Sequence, residues 1–113
     1  MPKISISKEH QLHQSEVTRF LKLKIAAALQ ENAGSVRDYH DCWTDDNTME
    51  FAFKTMGVGI SGLLRSLPNR VAVEVTLPFA ALMVKGMIES RLNEELGKIL
   101  AEAVVSQSEP NVE

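Results

Sequence analysis

The spacing of apolar side chains changes period several times along the chain, and each change marks a boundary between elements. Lys3 to Ser7 alternates, with Ile4 and Ile6 facing one way and Ser5 and Ser7 the other, which is the period of a half-buried strand. From Gln14 to Ala33 the apolar positions Val17, Leu21, Ile25 and Ala28, flanked by Phe20, Ala27 and Leu29, recur at helical spacing and end at Gly34, a natural C-cap. Val36 to Trp43 alternates weakly, Thr44-Asp45-Asp46-Asn47 supplies turn chemistry, and Thr48 to Thr55 is a clearer strand. Its Met49, Phe51 and Phe53 share one face and Glu50, Ala52 and Lys54 the other, so the pair predicts a hairpin with one dry side and one wet side. Val58 to Leu67 alternates next, Leu67-Pro68-Asn69 turns the chain, and Val71, Val73, Val75 and Leu77 form an apolar row along Arg70 to Leu77. Pro78 suits the first turn of a helix, and Ile88, Leu92, Leu96, Ile99 and Ala103 carry one stripe on to about Ser106. Residues 107–113 read as a flexible tail.

The predicted order is β-α-β-β-β-β-α in a single α+β domain, residues 1–106. Each strand has one apolar face and each helix one apolar stripe, so the expected architecture is a curved antiparallel sheet with two helices packed on one face. A helix over 79–106 would run about 40 Å, whereas the strand before it spans roughly 23 Å. The helix is therefore expected to overhang its sheet, and Leu96, Ile99, Leu100 and Val104 to cover the first helix or to meet a second subunit. The second outcome would be a homodimer through the C-terminal helix.

Composition narrows the functional classes. Hydrophobic residues are 44% and charged residues 24% of 113, enough for one real core. Lys and Arg total 12 against 15 acidic residues and are scattered, so no footprint for a phosphate backbone exists and nucleic acid is not an expected partner. Cys42 is the only cysteine, which rules out an intramolecular disulfide and a four-cysteine zinc site and suits a reducing compartment. The N-terminal Met-Pro-Lys-Ile-Ser-Ile-Ser lacks the apolar core of a signal peptide. The most apolar stretch, Val71 to Val84, is interrupted by Glu74 and Pro78, and it is shorter than the ~20 residues of a membrane span. The expectation is a cytoplasmic protein with no transmembrane segment.

Several groups invite a chemical reading, and each meets a plainer one. Gly57-Val58-Gly59-Ile60-Ser61-Gly62 matches GxGxxG, but Pro68 follows too soon for the helix that a dinucleotide site requires, so a bent or bulged strand explains the glycines. Asp38, His40 and Cys42 would share one strand face. Side chains at i and i+2 start about 7 Å apart and run parallel rather than converging as a nucleophile and its base do. If Tyr39 and Trp43 face the core, Asp41 shares their side, which calls for a strand end or an irregular pairing. His10 and His13, near Glu9, lack the spacing of a defined metal site, and Asp45 and Asp46 belong to a turn. No catalytic residue, cofactor or metal is expected. The last candidate is apolar: Leu77, Phe79, Leu82, Met83 and Val84, with Ala80 and Ala81 among them, are more continuously hydrophobic than a one-sided helix start requires. They are either core and dimer packing or a contact surface for a hydrophobic partner.

The assembled pattern resembles the small bacterial proteins of the polyhydroxyalkanoic acid system family. The resemblance is carried by Pro2-Lys3-Ile4-Ser5-Ile6 with His10 and Leu12, by Trp43 to Phe51 with its Asp-rich turn, and by Gly57 to Gly62. It continues through Val71-Ala72-Val73-Glu74-Val75 and Lys85-Gly86-Met87-Ile88-Glu89 into Leu92-Asn93-Glu94-Glu95-Leu96. It implies a cytoplasmic protein associated with polyhydroxyalkanoate synthesis or granules, with no catalytic residues to carry over. The leading expectation is a non-enzymatic accessory protein that binds granules or granule-associated proteins through the sheet edge and the Phe79 to Val84 segment. The alternative is a small binding protein holding an acyl or hydroxyacyl ligand between the sheet and the C-terminal helix, with Met49, Phe51, Val73 and Ile88 lining a cavity. A third reading, a hydrolase using His40 and Cys42, requires those side chains to meet in a cleft.

Overall fold

The computed structural model describes residues 2–108. Strand β1 (Lys3–Glu9) leads to helix α1 (Gln14–Glu31), and β2 (Arg37–Asp45), β3 (Thr48–Thr55), β4 (Val58–Leu67) and β5 (Arg70–Thr76) follow as successive hairpins. A six-residue 3-10 segment, Phe79–Val84, then leads into helix α2 (Lys85–Ser108). The five strands form one open antiparallel sheet in the order β1-β5-β4-β3-β2, so the meander places the first strand beside the last. This is the α+β fold that the periodicity predicts.

Register decides which side chains share a face. Ile4 lies opposite Val75 and Ile6 opposite Val73. Val73 lies opposite Leu64 and Val75 opposite Gly62, and Leu64, Gly62 and Ile60 lie opposite Met49, Phe51 and Phe53. These residues make one continuous apolar face against which Val17 and Leu21 of α1 and Ile88, Leu96 and Leu100 of α2 are buried. The helices run antiparallel: Lys24 of α1 pairs with Glu102 of α2 at 3.1 Å, and Arg91 of α2 donates to Asn32, just past α1, at 2.6 Å. Leu96 and Leu100 are thereby buried inside the chain and Ile99 is half-buried, whereas Val104 stays 45% exposed. Of the two predicted ways to cover the distal half of α2, packing within the chain is the one the fold uses for Leu96 and Leu100.

The start of the second helical segment differs from the expectation of a helix running continuously from Phe79. Phe79–Val84 winds with three residues per turn, so side chains three apart eclipse. Ala81 and Val84 point inward, one buried and one half-buried, while Phe79 and Leu82 point out. An i, i+3 demand of this kind is met by the tighter helix, and Ala81 N–H donating to Pro78 O at 2.9 Å closes its first turn. At the other end α2 continues to Ser108, two residues beyond the expected limit, and residues 109–113 of the predicted tail lie outside the described residues.

Candidate functional site

The 3-10 segment and the first turn of α2 present large apolar side chains to solvent. Phe79 is 69% exposed, Leu82 50%, Met83 96% and Met87 60%. Pro78 has no N–H to give, and Leu77 N–H is held by Pro2 O at 2.9 Å, so the chain is pinned at the sheet before the segment turns outward. Of the five residues the sequence singles out, Phe79, Leu82 and Met83 stand at the surface and Val84 is half-buried. Leu77 does not join them: it is fully buried, because it continues the inward row of Val71, Val73 and Val75. Met87 is an addition the sequence reading missed. It lies one helical turn after Met83 and off the stripe of Ile88 and Leu92, and that spacing is the signal that would have found it.

The other chemical candidates come apart in three dimensions. Gly57, at φ +78, completes the two-residue turn between β3 and β4, while Gly62 lies inside β4 under the Phe51 ring. A Cβ at Gly62 would sit 2.8 Å from Phe51 Cζ and 2.5 Å from Glu74 O, so this glycine admits an aromatic ring rather than a phosphate. Asp38 is in the left-handed region at φ 52, at a register shift between Arg37 and His40, and its carboxylate pairs with Lys54 at 3.8 Å. His40 and Cys42 stand opposite Ala52 and Glu50 on the outer face, and Cys42 is exposed. The edge position accounts for Asp41: it shares the inner face with Phe51 but is exposed on the edge strand, where Tyr39 Oη donates to it at 2.9 Å. Burial, then this bond, then the Asp41 charge push the Tyr39 phenol well above its ordinary range.

His10 and His13 do not converge. His13 is the exposed N-cap of α1. His10 is buried, its Nδ1 accepts the Leu12 N–H at 3.1 Å, and its Nε2 has no partner. Nearby, the Thr18 hydroxyl donates to Asn47 Oδ1 at 2.8 Å and pairs with the Ser66 hydroxyl at 2.8 Å, which ties α1 to the β3 and β4 ends. Among the described residues no three His, Cys, Asp or Glu side chains gather as a metal site would need.

Residues 4–100 match a family model described as "Putative polyhydroxyalkanoic acid system protein". The chain belongs to the polyhydroxyalkanoic acid system family. No curated protein matches it. Two solved structures are similar over nearly the whole chain. The protein TTHA0849 from Thermus thermophilus is 14% identical, covers 95% of this chain and 99% of its own, and gives a TM-score of 0.45. Ara h 8.0201 is 6% identical, covers 91% of this chain and 97% of its own, and gives 0.47.

Two further features of this polyhydroxyalkanoic acid system protein bear on binding. Met49, Val73 and Ile88, the expected lining of an acyl cavity, are buried in the core, and Phe51 packs on it, which is the close-packed arrangement rather than a lined void. An open cleft of about 470 Å³ lies instead at the sheet edge, where Ser5, Ile6 and Ser7 of β1 face Gly86, Glu89, Ser90 and Asn93 of α2. Among the described residues no helix is long and apolar enough to cross a membrane.

Proposed function

We propose that this protein is a non-enzymatic accessory protein that works in the cytoplasm by binding polyhydroxyalkanoate granules, or protein machinery seated on them, through the surface made by Phe79, Leu82, Met83 and Met87. The observation that carries the reading is the exposure of these four side chains together on one short segment. Burying a side chain of this size is worth about 1.5–3 kcal/mol relative to leaving it in water, so four on one surface can support adsorption to an aliphatic polyester. Family membership supports the granule as the setting. The non-enzymatic reading is supported by the splayed row of Asp38, His40 and Cys42, in which Asp38 turns to Lys54 and the other two stand apart on an open face.

The test is partition of the purified chain between buffer and polyhydroxybutyrate particles. Phe79→Asp combined with Leu82→Asp, in a chain whose circular dichroism and melting are unchanged, is expected to abolish most of the bound fraction. Unchanged binding would remove this surface from the account.

A further inference from the structure

A second apolar surface lies on different elements from the 79–87 segment, on strands β2 and β3. Four of the six aromatic residues, Tyr39, Trp43, Phe51 and Phe53, are on β2 and β3, and all four are half-buried on the inner face of the sheet. The helices make their main contacts with β1, β4 and each other, which leaves the β2–β3 hairpin projecting as a wing. Along it the rings form a continuous row: Tyr39 and Phe53 have centroids 6.4 Å apart at an interplanar angle of 28°, and Phe53 and Phe51 are 6.1 Å apart at 14°. Stacked so nearly parallel, the three rings make an apolar shelf along which an extended aliphatic chain can lie.

The row has polar groups at defined places. At the Trp43 end, Lys22 of α1 holds its ammonium 4.7 Å from the indole centroid. Among the described residues no carboxylate lies within ion-pair distance of it, whereas Lys24, Lys54 and Lys98 each have one. An uncompensated cation fixed over an apolar floor attracts an anionic head group. Asp41 lies on the same face between Trp43 and Tyr39, with Oδ2 engaged by the Tyr39 hydroxyl and Oδ1 left to accept. Cation, acceptor and apolar strip therefore follow one another in that order.

We propose that this shelf binds a free medium-chain hydroxyalkanoate, with its carboxylate on Lys22, its hydroxyl donating to Asp41 and its chain along Phe51, Phe53 and Tyr39. The choice of a hydroxy acid over a plain fatty acid rests on Asp41, a carboxylate that repels a head group brought too near and accepts from a hydroxyl. The ligand class agrees with the family, but the site is separate from the granule-binding surface and stands or falls apart from it.

Trp43, the single tryptophan, is a built-in reporter. Titration of the full chain with 3-hydroxydecanoate below its aggregation concentration is expected to give a saturable change in Trp43 fluorescence. Decanoate is expected to bind severalfold more weakly and 1-decanol more weakly still. Lys22→Gln, on an exposed helix face, is expected to weaken 3-hydroxydecanoate about tenfold, Phe53→Ala to weaken it as well, and Asp41→Asn to narrow the preference over decanoate. Phe79→Asp is expected to change none of these. No saturable change would overturn the proposal. So would indifference to both Lys22→Gln and Phe53→Ala, or a response to polyhydroxybutyrate particles with none to the free acid.

Discussion

At the scale of single residues, several positions are set by what they must avoid. Gly62 is open to a direct test, because a Cβ there would meet a backbone oxygen of β5 that cannot move aside without breaking the ladder. Gly62→Ala is expected to destabilise the fold by about 1–3 kcal/mol in urea unfolding, with the aromatic signal of the β3 region perturbed as Phe51 is displaced. Tyr39 gives a pH dependence with a defined sign. Its phenol is held neutral in the folded protein by burial, by its bond to Asp41 and by the Asp41 charge, while an unfolded tyrosine ionises near pH ~10. Folding therefore favours the protonated form: the stability Tyr39 contributes is intact below about pH 10 and is lost as pH climbs beyond it. Tyrosinate absorbance reports this residue alone, since the chain has one tyrosine. Asp41→Asn is expected to bring its titration back toward the ordinary range and to reduce the alkaline loss. Sequence showed Asp41 as an inconsistency, an acid on an apolar face. The edge position that resolves it depends on strand order, which alternation along one strand does not carry.

At the scale of elements, local chemistry and tertiary demand agree at most boundaries and part at two. The β3–β4 connection is a two-residue turn in which Met56 (φ 53) and Gly57 (φ 78) both take positive φ, the geometry of a type I′ hairpin. Gly57 suits it and Met56 does not. Met56→Asn is expected to stabilise the protein by roughly 0.5–1 kcal/mol, read as a higher urea midpoint with unchanged slope. The second boundary is at Pro78. Periodicity from Ile88 onward projects back into a helix as far as Phe79, but the pairing of Ala81 with Val84 inward and Phe79 with Leu82 outward follows a period of three, legible only once the inward side is known. The edge strands are managed differently. At one end β1 has α2 packed along it, and at the other β2 carries Arg37, Asp38, His40, Asp41 and Asp45 with two register shifts, devices that discourage pairing with another chain. Granule or partner contact through that edge, one of the expectations from sequence, has less physical support than contact through the 79–87 segment.

At the scale of the whole molecule, the sheet and two helices bury one apolar core between them, while Leu23 of α1 and Val104 and Val105 of α2 stay exposed. Ile4, Val71, Val75 and Leu21 are at or near zero exposure, and Leu100 and Ala103 of α2 are buried as well. That much follows from the sequence, since strand and helix periods name the core almost residue by residue. Leu77 was legible in the same way, as the last member of the β5 row, and only its place in a longer apolar run suggested the surface. Against that background, Phe79, Leu82, Met83 and Met87 are an exposed apolar excess gathered on one short segment, whereas Leu23, Met56, Val104 and Val105 are exposed elsewhere. The central claim is that this excess is the granule-binding surface. Its most direct test is co-sedimentation of the wild-type chain and Met83→Asp with polyhydroxybutyrate particles across a salt series, because Met83 at 96% exposure can be changed without touching the core. Wild-type binding is expected to survive moderate salt, and the single substitution to reduce the bound fraction severalfold. Binding that disappears with salt, or that Met83→Asp leaves intact, would contradict the claim.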